Sequence, residues 1–304
     1  MRGRLLRRGL LGAAALTMLA GCGAAAGPSD GGAGADPDRL RQRAREALAR
    51  YDEAVRAAGG EPRFVPTSGL TGQLGDWEPA NGDNKLALSA GMIDARGPLP
   101  DPPRETGTVT WESGQKRQVP LFSAEAALRR LREAGDGQCP GCVPLEVTAA
   151  RLSTARIATT RGPAVVPAWE FALAGTRVRL TRVAVADEAV VTVTPPPWDP
   201  DAAPGGHTIQ SATTTVDARE LTVTFVGSPG PASEPCGVDY TAEAVESATA
   251  VVVIVTGRGH GDGPQACPAI GATRTATAEL ERPLGERAVL EVQRGLPVPV
   301  TVTG

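Results

Sequence analysis

The sequence predicts an α+β N-terminal domain, an antiparallel sheet with two helices, followed by an all-β, sandwich-like C-terminal domain. Three observations point there. Apolar residues recur at helical spacing in only two stretches. Elsewhere, short Val- and Thr-rich runs are separated by turn residues, with 37 Gly and 27 Pro in 304 residues. Finally, Pro195, Pro196 and Pro197 interrupt the pattern, and almost no helical period follows them.

The first helix starts at Asp36, an N-cap, with Pro37 in the first helical position. Leu40, Ala44, Ala47, Leu48, Tyr51 and Val55 lie on one face, and Gly59-Gly60 ends the helix. Its other face mixes Arg39, Arg41, Arg43, Arg45 and Arg50 with Asp38, Glu46, Asp52 and Glu53, which reads as a solvated face. Asn81-Gly82 followed by Leu86 and Leu88 suggests a hairpin, and Thr108 to Trp111, Ser113-Gly114 and Arg117 to Val119 a second. Ser123 caps the second helix, which runs through Ala124, Ala127, Leu128 and Leu131 and is closed by Gly135. Strands are expected at 145–160, 165–173 and 178–185. Past the proline run they are expected at 213–226, 238–245, 248–256, 273–280 and 288–293. The resulting organisation is a leader at 1–21, a tether at 22–37, an α+β domain at 38–194, a Pro-rich linker at 195–206 and a β-sandwich-like domain at 207–304.

The leader is the most specific part of the chain. Arg2, Arg4, Arg7 and Arg8 precede an apolar stretch from Leu10 to Leu19, too short to span a bilayer. It ends in Leu19-Ala20-Gly21-Cys22, which resembles the lipobox of bacterial lipoproteins. The resemblance implies thioether lipidation of Cys22, cleavage of the signal peptide before it, and anchoring by acyl chains such as palmitate. A Gly-, Ala- and Pro-rich tether follows. The expected location is therefore the outer face of the cytoplasmic membrane, extracytoplasmic and lipid-anchored. Arg supplies 29 of 31 basic residues, with Lys only at 85 and 116, the usage of a GC-rich genome and of an actinomycete source.

Several function classes lose support. The net charge of -3 and the lack of a basic patch outside the first eight residues and one short helix argue against nucleic acid as a partner. Cys139, Cys142, Cys236 and Cys267 are even in number in an exported chain, and read as two disulfides, Cys139–Cys142 and Cys236–Cys267. The second closes a loop of about 30 residues and contributes ~3.5 kcal/mol on the chain-entropy model. Cys139-Pro140-Gly141-Cys142 also permits a thiol–disulfide redox reading, but it follows a helix C-terminus, where the dipole disfavours a thiolate. A four-Cys zinc site has the wrong spacing. His260, within Gly257-Arg258-Gly259-His260-Gly261-Asp262-Gly263, offers a glycine-rich loop without the context of a phosphate loop. No nucleophile elbow or zinc-protease motif occurs.

Two groups of segments resemble uncharacterised actinobacterial secreted lipoproteins. They are Gly72 to Trp77, Asn81 to Lys85 and Thr160 to Trp169, with Val238-Asp239-Tyr240 and Arg282 to Arg287. That likeness implies no activity and carries over no catalytic residue. The expectation is an envelope-anchored, non-enzymatic binding or interaction module with no cofactor or metal. Its partners would be the membrane, through Cys22, and an envelope ligand or protein. Trp77, Trp111, Trp169 and Trp198 are candidate contacts. The alternative is a hydrolase of envelope polymers, which needs a cleft of convergent polar groups.

Overall fold

The computed structural model describes residues 36–61, 64–78, 82–197, 205–261 and 266–303. Cys22, the leader, most of the tether, Trp198 and residues 199–204 of the linker lie outside them. The molecule is mostly β, with several sheets and three α-helices among the described residues. None of these helices is long and apolar enough to cross a membrane.

Helix α1 (Pro37–Ala57) begins as its sequence dictates: the Asp36 carboxylate accepts from the backbone of Asp38 at 3.0 Å and of Arg39 at 3.4 Å. Strand β1 (Thr71–Leu74) leads to helix α2 (Gly82–Ser89), where a hairpin was expected. Residues 82–89 contain no β-branched side chain, so nothing favours a strand there, and Ala87 turns inward from the helix to the core. Strands β2 (Ile93–Ala95), β3 (Thr106–Trp111) and β4 (Lys116–Pro120) precede helix α3 (Ala124–Glu133), capped by the Ser123 hydroxyl. Strands β5 (Leu145–Thr159) and β6 (Gly162–Leu173) form a long hairpin, and β7 (Arg179–Val183) pairs with β6. These seven strands make one sheet. It is mixed rather than antiparallel, because β2 joins β5 in parallel.

Helices α2 and α3 cover one face of that sheet, over Trp169, Phe171, Leu173 and Leu180. Their C-terminal ends meet so closely that a Cβ on Gly135 would lie 2.1 Å from the backbone of Gly91, so only glycine fits there. Phe64, Val185, Ala189 and Val190 cover part of the other face.

The described residues of the second half form eight strands: β8 (Ile209–Thr215), β9 (Glu220–Gly227), β10 (Val238–Glu246), β11 (Ala250–Gly259), β12 (Ala272–Glu279), β13 (Ala288–Glu291), β14 (Pro297–Val298) and β15 (Val300–Thr303). The single strand expected at 213–226 is two, because Val216, Asp217 and Ala218 turn the chain between β8 and β9. One four-stranded sheet has the order β10-β11-β13-β14 and the other β12-β9-β8-β15. Leu221, Val223, Phe225, Val251, Val253, Val255 and Val289 share the core between them.

Strand pairing among the described residues stays on one side or the other of the proline run. The packing does not. Helix α1, counted by sequence with 38–194, lies against β11 and β13. Its apolar stripe is the expected one, but it packs on Ala250, Val252, Ile254, Ala288 and Leu290, joined by Val65, Val191 and Val193. The stripe specifies that a helix must be covered; it does not specify by which sheet. Burial of Leu40, Leu48 and Val55 contributes about 1.5–3 kcal/mol each before chain entropy is counted. Polar ties fix the helix: Arg41 donates to both carboxylate oxygens of Glu243 at 2.7 and 2.9 Å, and the Thr249 hydroxyl donates to Asp52. The Arg41 hydrogen bonds hold the Glu243 carboxyl below its usual range.

Candidate binding surface

The sheet β12-β9-β8-β15 has one face in the sandwich core and one facing solvent. Alternation decides which side chains go where. Leu221, Val223 and Phe225 of β9 point inward, so Thr222 and Thr224 point outward. Ala276 and Ala278 of β12 point inward, so Thr273, Thr275 and Thr277 point outward. The same logic places Thr213 and Thr215 of β8, and Thr301 and Thr303 of β15, on this outer face.

Register brings them into rows. Thr277, Thr222, Thr213 and Thr301 are successive partners across all four strands. Thr275, Thr224 and Ser211 form the next row, and Thr215 pairs with Thr303 beyond the first. Strands lie roughly 4.8 Å apart and alternate residues roughly 6.7 Å apart, so the hydroxyls occupy a near-regular grid. The Thr222 and Thr277 hydroxyls bond each other at 3.1 Å. Thr214, on the inner side, spends its hydroxyl on the Glu220 carbonyl at 2.7 Å.

The grid has defined ends. At one, Glu220 and Glu279 stand opposite each other, with Arg219 3.7 Å from Glu279. At the other, Val226 and Ile270 are exposed. Between them the described residues of the face carry no charge. Each threonine offers one donor, two acceptor lone pairs and a methyl group. The grid can therefore hydrogen-bond a neutral, repeating, hydroxyl-bearing partner and pack methyls on its C–H surfaces.

The residues singled out by sequence lie elsewhere. Trp111 and Trp169 are buried, and their indole N–H groups donate to the Thr159 hydroxyl and the Phe122 carbonyl, both at 2.9 Å. They are core side chains. Trp77 is half-buried against the α2/α3 core. Cys139 is bonded to Cys142, and Cys236 to Cys267, with Cα–Cα separations of 5.5 and 5.6 Å. The His260 imidazole Nδ1 lies 2.7 Å from the Ala232 carbonyl, while Asp262 and Gly263 of its loop lie outside the described residues.

His207 has a structural setting. Its ring meets Phe225 at 5.4 Å and Tyr240 at 5.0 Å, and its backbone bridges to Val255 of β11. Burial pushes its pKa below 6.5. Among the described residues no three His, Cys, Asp or Glu side chains gather as a metal would require.

Sequence reasoning misses the threonine face, because the C-terminal strands read only as rich in Thr and Val. A signal was present: Thr-x-Thr occurs at 213–215, 222–224, 273–277 and 301–303. Only the pairing shows that all four lie on one face of one sheet. No family model, curated protein or solved structure matches the chain.

Proposed function

We propose that the protein is a lipid-anchored binding module of the cell envelope, held at the outer face of the cytoplasmic membrane through Cys22. Its folded part comprises a helix-covered mixed sheet and a β-sandwich, and it presents the threonine face to a neutral polysaccharide. The in-register threonine grid carries this reading. A charged partner would find no counter-charge between the two ends of the face. An apolar protein partner would have to desolvate the hydroxyls without replacing their bonds. A polymer of hydroxyl groups replaces them.

Anchoring is tested in the cell. Cys22→Ala should leave uncleaved precursor and abolish lipid labelling; normal maturation of that variant would remove the anchored reading. Binding is tested by co-sedimentation with cellulose, chitin and starch. The matched variant carries Thr213→Val, Thr222→Val, Thr224→Val and Thr275→Val, which keeps β-branched side chains and deletes only the hydroxyls. Retention of the parent protein by at least one polymer, lost in the variant, supports the proposal. Equal retention of both proteins, or retention of neither, would refute it.

A further inference from the structure

The arginines that flank the junction of α3 with β7 and β1 are not equally partnered. Arg130, on α3, has a full set of contacts. Its guanidinium stacks 4.2 Å from the Phe122 ring centroid, donates to the Ala126 carbonyl at 3.1 Å and pairs with Asp187. Asp187 is 73% exposed, so water already weakens its hold on the arginine. Arg182, on β7, has much less. Its only acceptor among the described residues is the Thr71 hydroxyl on β1, at 3.3 Å from Nη1. Its Nε is shielded from solvent and has no acceptor. No carboxylate of the described residues lies within ion-pair distance of it.

The position follows from register. Arg182 stands opposite Trp169 on β6 and Thr71 on β1, on the sheet face that carries α3. Leu180, two residues earlier, is inside the core on that same face, so Arg182 marks where core gives way to rim. Burial, followed by the neighbouring charge of Arg130, makes its guanidinium harder to keep protonated than usual, and Asp187 only partly opposes this. Arginine nevertheless stays charged in proteins. The fold thus holds a half-buried cation with no carboxylate of the described residues at ion-pair distance, on the sheet face that α3 and its Arg130 cover, which costs stability unless an anion completes it.

We infer that Arg182, Arg130 and the Thr71 hydroxyl form a binding site for a phosphate-type oxyanion. The planar guanidinium fork matches two phosphate oxygens, and the Thr71 hydroxyl, which accepts from Arg182, keeps its own proton to donate. The site is separate from the threonine grid, which lies on the sheet β12-β9-β8-β15. It does not depend on the polysaccharide reading.

The experiment is a thermal-melting titration of the full mature protein in detergent, with potassium phosphate against potassium chloride at matched ionic strength. Phosphate should raise the melting temperature saturably and chloride should not. Arg182→Gln should weaken the apparent phosphate affinity about tenfold or more, and should melt no lower than the parent in chloride, because it removes an unpaired charge. A second variant guards against a folding defect: Asp187→Asn leaves Arg182 in place, frees the charge of Arg130 and should tighten phosphate binding several-fold. Melting in detergent micelles doped with phosphatidylglycerol against micelles doped with phosphatidylcholine separates a lipid headgroup from free phosphate as the source, because the acyl anchor enters both alike. A phosphatidylglycerol-dependent rise that Arg182→Gln loses assigns the headgroup; a phosphate response with equal melting in both micelles assigns the free ion. Equal responses to phosphate and chloride, an unchanged response in Arg182→Gln, or weaker binding in Asp187→Asn would each overturn the site.

Discussion

Strands β9 and β11 face each other across one core, yet their sequences obey different rules. From Ala250 to Val255, β11 is an unbroken apolar run, buried on both sides. Ala250, Val252 and Ile254 meet α1, while Val251, Val253 and Val255 meet the other sheet. In β9, Leu221, Val223 and Phe225 alternate with Thr222 and Thr224, and only the first set is buried. The difference reports the number of layers. A strand covered on both faces loses its polar positions, and one covered on a single face keeps them. The molecule here stacks helix, sheet and sheet, and leaves the last face open.

The comparison yields four expected outcomes. The largest concerns the cover itself. Deleting residues 36–58 exposes Val252, Ile254 and Leu290 to water and should abolish cooperative thermal unfolding of the remaining chain. A normal transition in the truncated protein would mean that α1 is an accessory.

Next is the ion pair that ties β10 to the loop before β13. Arg287 is 4% exposed and Glu246 10%; they pair with each other, and Arg287 also donates to the carbonyls of Arg282, Pro283 and Leu284. Arg287→Met strands a shielded carboxylate and should cost about 3–5 kcal/mol in denaturant unfolding. A loss under about 1 kcal/mol would show that water reaches Glu246 freely.

A reciprocal exchange tests the two faces directly. Val252→Thr places a hydroxyl between α1 and β11 and should cost about 1–3 kcal/mol. Thr224→Val, on the open face, should change stability by no more than about 0.5 kcal/mol. Similar losses at both positions would contradict the layer assignment.

The smallest effect is a pH dependence at His207. Burial holds the His207 pKa below the 6.5 of the free side chain. As pH falls below 6.5, the unfolded chain takes up a proton that the folded one resists, so stability declines until the folded value is reached; above 6.5 it is unaffected. Melting temperatures between pH 7.5 and pH 5 should show this decline in the parent and lose it in His207→Phe. The depressed carboxyls Glu170 and Glu243 act lower, as pH falls through and below 4.5, so they do not obscure the window.

Much of the local structure was legible in advance. The caps at Asp36 and Ser123, the apolar stripe of α1 and the strands β5, β6 and β7 all come from short-range rules, in which a residue's neighbours two to four positions away decide its state. The two cysteine pairs were legible because each partner was the nearest one available along the chain. The α2 region was misread because Leu86 and Leu88 alternate like a strand, although the intervening Ala87 is the buried residue and Leu86 is 57% exposed.

What the sequence by itself determined is the helices α1 and α3 with their caps and buried faces, and the place of most strands. What only the tertiary structure decided is who covers whom. It carried α1 past its own half of the chain to β11, brought Arg182 to the rim of α3 with no carboxylate of the described residues at ion-pair distance, and set four separate Thr-x-Thr runs side by side. The reason is that burial is non-directional: an apolar face specifies that it must be covered and not by what, so partner choice rests on the shape and register of the whole fold.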